Sequence, residues 1–181
     1  MKKNICLTFI LLGAALVILG AANSCQAPMD ATGDYSGTWS INIKDAETIV
    51  DTVECGAIRM TLTQDVTLDP PENLKVTGTI TTDDYACFAD AGWPEKLIPD
   101  PEPIEVSGTM GTNDGKLVLL SGGIGTGTGA IFIIDGTGVA DSESAEAIPP
   151  MLTYSGKWGF AVSVVFLGTI GVDGTFEVTR E

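Results

Sequence analysis

Apolar and polar residues alternate with a period of two along most of the chain after residue 35. This period is typical of half-buried antiparallel strands, and no segment shows the 3.6-residue stripe of an amphipathic helix. In each strand the polar positions are often threonine, which suits a pleated surface. The alternating apolar positions are Trp39, Ile41 and Ile43; Ile58, Met60 and Leu62; Val76 and Ile80; and Ile104, Val106 and Met110.

The second half of the chain continues this pattern with shorter or more apolar segments. Segments 117–120 and 131–134 are continuous apolar runs, which predicts strands covered on both faces. Segment 137–140 is a short strand candidate, 152–166 predicts one bent strand or two, and 175–179 ends the chain. The whole pattern predicts an all-β, single antiparallel meander of about eight strands that forms a closed up-and-down barrel, with a β-sandwich as the alternative.

A Gly-Thr pair followed by a large apolar residue recurs inside the predicted strands. Glycine within a strand indicates a bend or a close approach of a neighbouring backbone, which closed barrels need. The segment Tyr35-Ser36-Gly37-Thr38-Trp39 is echoed by Tyr154-Ser155-Gly156-Lys157-Trp158, which predicts two equivalent corners unless the similarity is chance. The recurring elements begin at Gly37, Gly78, Gly108 and Gly174.

The N-terminus has the pattern of an export signal. Lys2 and Lys3 precede an apolar stretch over residues 5–22, and small residues follow it. This order is that of a secretory signal peptide. We therefore predict a signal peptide over residues 1–24, a polar tether over 25–34 and a β-domain over 35–181, in a protein exported to the cell envelope.

The end of this signal, Ala22-Asn23-Ser24-Cys25, resembles the lipobox of bacterial lipoproteins, although it has Ala where Leu is usual and Asn where a small residue is preferred. The resemblance implies a lipid on Cys25 that anchors the protein to the outer or cytoplasmic membrane. Two alternatives remain. Ordinary cleavage after Ser24 would leave a secreted or periplasmic protein, and an uncleaved apolar segment would be an anchor by itself.

The cysteines that remain after signal removal are Cys25 at the junction, Cys55 and Cys87, since Cys6 lies within the signal. An even pair in an exported protein predicts a disulfide between Cys55 and Cys87, and two buried free thiols are the alternative. Closing a loop of roughly 30 residues with a disulfide is worth about 3–4 kcal/mol.

Charge and composition exclude several functions. Residues 25–181 carry 24 acidic and seven basic groups, a net charge of −17, which repels phosphate backbones and predicts no nucleic-acid partner. The absence of histidine removes Ser-His and Cys-His nucleophile pairs and most transition-metal sites. The acidic loops lack regular calcium-ligand spacing, and segment 122–129 lacks the Gly-Lys-Ser/Thr of a phosphate loop. We expect no enzyme activity, no metal and no cofactor.

The candidate site is the longest irregular segment, residues 83–103, because long loops in compact domains are usually functional or disordered. It holds Tyr85, Phe88 and Trp93, and a disulfide at Cys87 would pin it. The favoured interpretation is that these aromatic residues pack on the barrel end as a lid. The functional hypothesis is that Tyr85, Phe88 and Trp93 roof a barrel mouth and contact a small apolar ligand.

Gly37-Thr38-Trp39 resembles the Gly-x-Trp that opens the barrel of the lipocalin and avidin-like (calycin) group, found also in bacterial lipoproteins with lipocalin-like barrels. The resemblance implies that Trp39 packs across one barrel end as a structural plug. It favours a non-catalytic binding or structural module. The alternative is a sandwich-type surface module that contacts protein or polysaccharide through Tyr85, Trp93 or Tyr154 on a flat face.

Overall fold

The computed structural model describes residues 29–83, 85–95, 102–112, 114–121, 131–140, 148–164 and 168–181, and only the backbone of 162–164 and 168–170. The predicted signal peptide, Cys25 and segment 122–129 lie outside the described residues. Within them, no helix has the length and apolar character needed to cross a membrane.

Eight antiparallel strands form a closed barrel in which each strand pairs with the next and β8 pairs with β1. The predicted all-β meander and its closure are confirmed, and the β-sandwich alternative is wrong. A short helix, α1 (Ala86–Asp90), lies between β3 and β4. The strands are β1 (Gly33–Asp45), β2 (Thr48–Gln64), β3 (Lys75–Thr82), β4 (Ile104–Met110), β5 (Lys116–Leu120), β6 (Ile131–Ala140), β7 (Met151–Val164) and β8 (Gly168–Arg180).

The apolar runs of β5 and β6 are covered on one face only, so the prediction of two covered faces is wrong. Leu117 and Leu119 point inward and are fully buried. Leu120, Ile131 and Ile133 are 46%, 49% and 42% exposed. The reason is that successive side chains of a strand point to opposite faces, and no second layer covers this part of the barrel in the described residues.

Inward side chains fill the barrel, and its two large tyrosines are anchored by hydrogen bonds. The Tyr35 hydroxyl lies 3.0 Å from the carbonyl oxygen of Ala31 and 3.1 Å from that of Met151. The Tyr154 hydroxyl donates to the carbonyl oxygen of Leu117 at 2.6 Å. Burial raises the pKa of Tyr35 to about 12 and raises that of Tyr154 further. The interior is therefore a packed core.

The barrel's contacts begin earlier than the predicted tether allows. The backbone N–H of Asp30 donates to Pro149 and its carbonyl accepts from Met151. The N–H of Ala31, which is fully buried, donates to the Gln64 side chain at 2.9 Å. Because the barrel satisfies the backbone groups of Asp30 and Ala31, only residues before 30 remain as candidates for a tether.

Glycines of the Gly-Thr elements lie where neighbouring strands approach closely, as predicted. A Cβ on Gly37 would lie 1.9 Å from the carbonyl oxygen of Glu177, and one on Gly174 would lie 1.7 Å from that of Ser40. No larger residue fits either position without a backbone shift. These close approaches let β1 and β8 coil tightly enough to close the ring.

The two similar segments, 35–39 and 154–158, lie on the strands that flank β8. Gly37 pairs with Val178 and Gly156 pairs with Phe176. Each segment places its tyrosine in the core, and the rings of Trp39 and Trp158 are 5.0 Å apart between centroids. The two segments therefore occupy corresponding positions on either side of β8.

Candidate functional site

The barrel end that carries α1 is closed by a cluster of aromatic rings. Phe88, only 1% exposed, lies at its centre, and Tyr85 is also buried. The Phe88 ring centroid lies 5.6–6.1 Å from the ring centroids of Tyr85, Trp39, Trp158, Phe160 and Trp93. Two of the three predicted ligand-contacting residues, Tyr85 and Phe88, thus pack as a lid on the core.

Helix α1 was not expected within segment 83–103, yet its end carries a recognisable signal. Gly92 has a φ of +83°, and its N–H donates to Ala89 at 2.9 Å. The N–H of Trp93 donates to Phe88 at 2.8 Å, and the two rings make an edge contact at 5.6 Å. This is a Schellman motif with its usual apolar contact. Gly92 followed by Pro94 was the sequence signal for a helix end.

A disulfide between Cys55 and Cys87 ties α1 to β2, as predicted, with the two Cα atoms 5.0 Å apart. Trp39 on β1 faces two residues of β2, Cys55 and Gly56, because the strand register shifts there. Gly56 has a φ of +76°, so this is a β-bulge that glycine permits. The bulge positions Cys55 beneath the helix.

Trp39, which the resemblance predicts to be a plug, is buried and contacts aromatic residues of α1 and of the segment before it. It is 3% exposed, and its ring makes an edge contact with Tyr85 at 5.9 Å. Its indole nitrogen has no hydrogen-bond partner in the described part of the chain. By contrast, the indole nitrogen of Trp158 donates to the carbonyl oxygen of Ser40 at 2.9 Å.

The seam between β1 and β8 opens at this same end of the barrel. Pairing runs from Tyr35–Arg180 to Ile41–Gly174 and stops there. Beyond that point, β1 continues to Asp45 paired only with β2, and β8 is paired only with β7. Among the described residues, no backbone pair joins the two strands across this gap. We call the space that opens here the seam groove; Ile131 and Ile133 of β6 and residues 159–161 of β7 also line it.

The seam groove has a volume of about 580 Å³ and a mainly apolar lining. Ile43 of β1 and Val172 of β8 face it across the gap. Trp93 and Phe160, whose ring centroids are 5.9 Å apart, form its aromatic part. Ligand sites in proteins are typically concave, mostly apolar and of this volume. Of the predicted ligand-contacting residues, Trp93 alone lines it.

One ion pair crosses the open seam. The Lys44 ammonium group contacts the Asp173 carboxylate at 2.5 Å. The two side chains are 38% and 40% exposed. An exposed pair of this kind contributes little to stability. The ion pair matters for the groove because the Asp173 carboxylate neutralises the charge of Lys44, which lines it.

The described lining of this groove is mostly apolar, with a few polar side chains. No group of three or more potential metal ligands lies together in them. The described groove lining combines aliphatic and aromatic surface with Asn42 and the Lys44–Asp173 pair. This lining offers apolar contact and one ion pair to a ligand.

The sequence did not predict that Ile43, Lys44, Val172 and Asp173 line one groove. Ile43 was assigned to the inward face of a strand, and β8 was expected to begin at residue 175, seven residues after its observed start. Lys44 and Asp173 are 129 positions apart. No local pattern indicates that two such distant residues meet where a seam ends.

Comparisons of this chain with protein-family models, with curated proteins and with solved structures find no match. The resemblance to the calycin group and to bacterial lipoproteins thus stays a prediction from Gly37-Thr38-Trp39 and the signal sequence.

Proposed function

We propose that this chain is an exported, lipid-anchored β-barrel of the cell envelope that acts as a non-catalytic binding module for a small apolar ligand. The observation that carries the proposal is the seam groove, an apolar space that extends from the open edge of the barrel to Trp93 and Phe160. This location, on the side of the barrel, differs from the sequence prediction, which puts the ligand site in the barrel mouth beneath residues 83–103.

The packing of the molecule supports this location. The interior is filled by buried side chains, and Tyr85 and Phe88 close the end beneath α1. The groove instead is bordered by partly buried apolar residues, Val172 and Trp93, that pack against the core on one side. Displacing water from such surface is the main favourable contribution to binding an apolar ligand.

The alternative of a surface module with an aromatic face has no comparable support. Tyr154 is fully buried and Tyr85 is 7% exposed, so neither can contact a protein or polysaccharide surface. Trp93 is partly buried against the core. A flat aromatic platform is therefore absent from this part of the molecule, and the seam groove remains the better-supported site.

Titration with the neutral fluorescent probe N-phenyl-1-naphthylamine tests the proposal. We expect saturable binding at one site and at least a roughly five-fold loss of affinity in Ile43→Trp, because the larger ring fills the groove. Val139→Trp is the matched control, since Val139 is an exposed strand residue outside the groove lining. Binding that does not saturate, or that is equal in both variants, would contradict the groove as the site.

The lipid anchor has its own test. Mass spectrometry of the protein purified from its host should show an N-terminus at Cys25 with a mass increase that matches a lipid. An unmodified N-terminus at Cys25 would indicate a secreted or periplasmic protein, and an intact Met1 would indicate an uncleaved anchor.

A further inference from the structure

Four exposed carboxylates lie within three positions along the chain of residues that line the seam groove. Asp45 directly follows Lys44 of the lining, Asp90 directly precedes Ala91, and Glu95 lies two residues after Trp93. Glu47 lies in the β1–β2 turn, two residues after Asp45. All four side chains are exposed, and in the described part of the chain none of them forms an ion pair or accepts a hydrogen bond.

The described groove lining has no free positive charge to balance these carboxylates. Lys44 is the one basic residue of the lining, and its ammonium group is paired with Asp173. The sequence shows the same imbalance around the site. Residues 44–54 hold four acidic residues and one basic residue, and residues 83–105 hold seven acidic residues and one basic residue.

We propose that the ligand of the seam groove is a cationic amphiphile, an apolar chain or ring system that carries an amine. This inference rests on the proposed function and adds the chemical class of the ligand. The apolar part contacts Ile43, Val172 and Trp93, and the ammonium group lies at the rim among the carboxylates of Asp45, Glu47 and Asp90. The partly buried Trp93 also offers its ring face to a cation.

Coulomb's law gives the size of the change in ligand affinity that the rim carboxylates cause. A carboxylate about 10 Å from a ligand charge in a water-like medium changes affinity roughly two-fold at low ionic strength. Four such groups favour a cation by on the order of ten-fold and disfavour an anion by a similar factor. Screening reduces both factors as salt rises, because the Debye length falls to about 10 Å at 0.1 M.

Displacement of N-phenyl-1-naphthylamine by three ten-carbon amphiphiles tests the proposal: decyltrimethylammonium, decanol and decanoate, each below its micelle concentration. We expect decyltrimethylammonium to displace the probe at a concentration at least about ten-fold lower than decanoate, with decanol between them. The ratio of the displacing concentrations of decanoate and decyltrimethylammonium should fall in 0.5 M salt, because salt screens the charges.

The outcomes separate this inference from the proposed function. If decanoate displaces the probe at the same concentration as decyltrimethylammonium, or at a lower one, the cationic class is wrong while the groove stays a ligand site. If the probe itself shows no saturable binding, the proposed function fails together with this inference.

A pair of charge variants tests whether the preference arises at the rim. In Asp45→Asn with Glu47→Gln, we expect about a four-fold loss of affinity for decyltrimethylammonium and unchanged affinity for decanol. The matched control is Asp69→Asn with Glu181→Gln, which removes the same net charge far from the groove, on the β2–β3 loop and at the C-terminus. Equal losses in both double variants would show that overall charge, and not the rim, selects the ligand.

Discussion

At the scale of single residues, the two buried tryptophans beneath α1 differ by one hydrogen bond. Trp158 donates its indole N–H to Ser40, whereas the indole N–H of Trp39 has no acceptor in the described residues. A buried polar group without a hydrogen-bond partner reduces the stability of the fold by about 1–3 kcal/mol. Removing one partner of a buried hydrogen bond leaves the other group unpaired and carries the same cost. The two residues therefore contribute differently to stability, although both are almost fully buried.

We predict that Trp158→Phe destabilises the protein by about 1–2 kcal/mol more than Trp39→Phe. Both variants lose similar apolar area, but Trp158→Phe leaves the Ser40 carbonyl oxygen without its donor, while Trp39→Phe removes a nitrogen that has no acceptor. Urea unfolding at pH 7 measures the difference. Equal losses, or a larger loss in Trp39→Phe, would contradict the hydrogen-bond assignment.

The buried tyrosines predict a loss of stability at alkaline pH. Burial raises the pKa of Tyr85 to about 12, above its ordinary value of 10.0. The neutral ring is thus favoured in the fold, so its contribution is complete below pH 10 and is lost as the pH rises towards 12. We expect Tyr85→Phe to lose less stability between pH 9 and pH 11.5 than the unmodified protein, measured by urea unfolding. Identical pH profiles would show that Tyr85 ionises as freely in the fold as in the unfolded chain.

At the scale of the elements, the seam between β1 and β8 is closed over seven residue pairs and then opens. The last pair is Ile41 with Gly174, where a Cβ added to Gly174 would lie 1.7 Å from the Ser40 carbonyl oxygen and 2.6 Å from the Trp158 indole nitrogen. The Ser40 and Thr175 hydroxyls also contact each other there, at 2.9 Å. This tight crossing fixes the point at which the groove begins.

Gly174→Ala should therefore destabilise the protein by about 2 kcal/mol or more, because the added methyl would lie 1.7 Å from the Ser40 carbonyl oxygen and the strands must separate. The matched control is Gly159→Ala, where the nearest atom to an added Cβ is 3.9 Å away. That change should stay within about 0.5 kcal/mol. Thermal or urea unfolding compares them, and similar losses in both would refute the close-crossing argument.

At the scale of the whole molecule, the first described residues and the groove lie at opposite ends of the barrel. The backbone of Asp30 is hydrogen-bonded to Pro149 and Met151 at the end of the barrel where β1 begins. Strand β1 then runs to Asp45 at the end that carries the groove. Thirteen strand residues span about 40 Å, or roughly 30 Å along a barrel axis after strand tilt. Four residue steps from Cys25 to Met29 reach at most about 14 Å. A lipid on Cys25 would therefore hold the barrel close to the membrane with the groove directed away from it.

This orientation is testable on lipidated protein bound to vesicles. A fluorophore on Asp69→Cys, in the β2–β3 loop at the end where β1 begins, should be strongly quenched by headgroup spin labels. One on Glu47→Cys, in the β1–β2 turn at the groove end, should be quenched several-fold less, because collisional quenching requires close approach. Stronger quenching at residue 47 would show that the groove faces the membrane.

The sequence by itself determined the parts of this protein that depend on neighbouring residues. Alternation with a period of two places Ile58, Met60 and Leu62 on one face of a strand wherever that strand pairs. Gly37 and Gly174 indicated close backbone approaches, and an even cysteine pair indicated the disulfide. These features follow from local geometry and pairwise chemistry, which the order of residues fixes.

Only the tertiary structure decided where the ring closes and where it opens. Helix α1 has five residues, too few to be stable alone, and depends on Phe88 packing in the core and on the disulfide. Whether Ile131 and Ile133 are covered depends on whether another layer lies over them. The meeting of Lys44 with Asp173, 129 positions apart, depends on the β1–β8 register. The seam groove arises from that register, because two strands that stop pairing leave a space whose lining no single segment specifies.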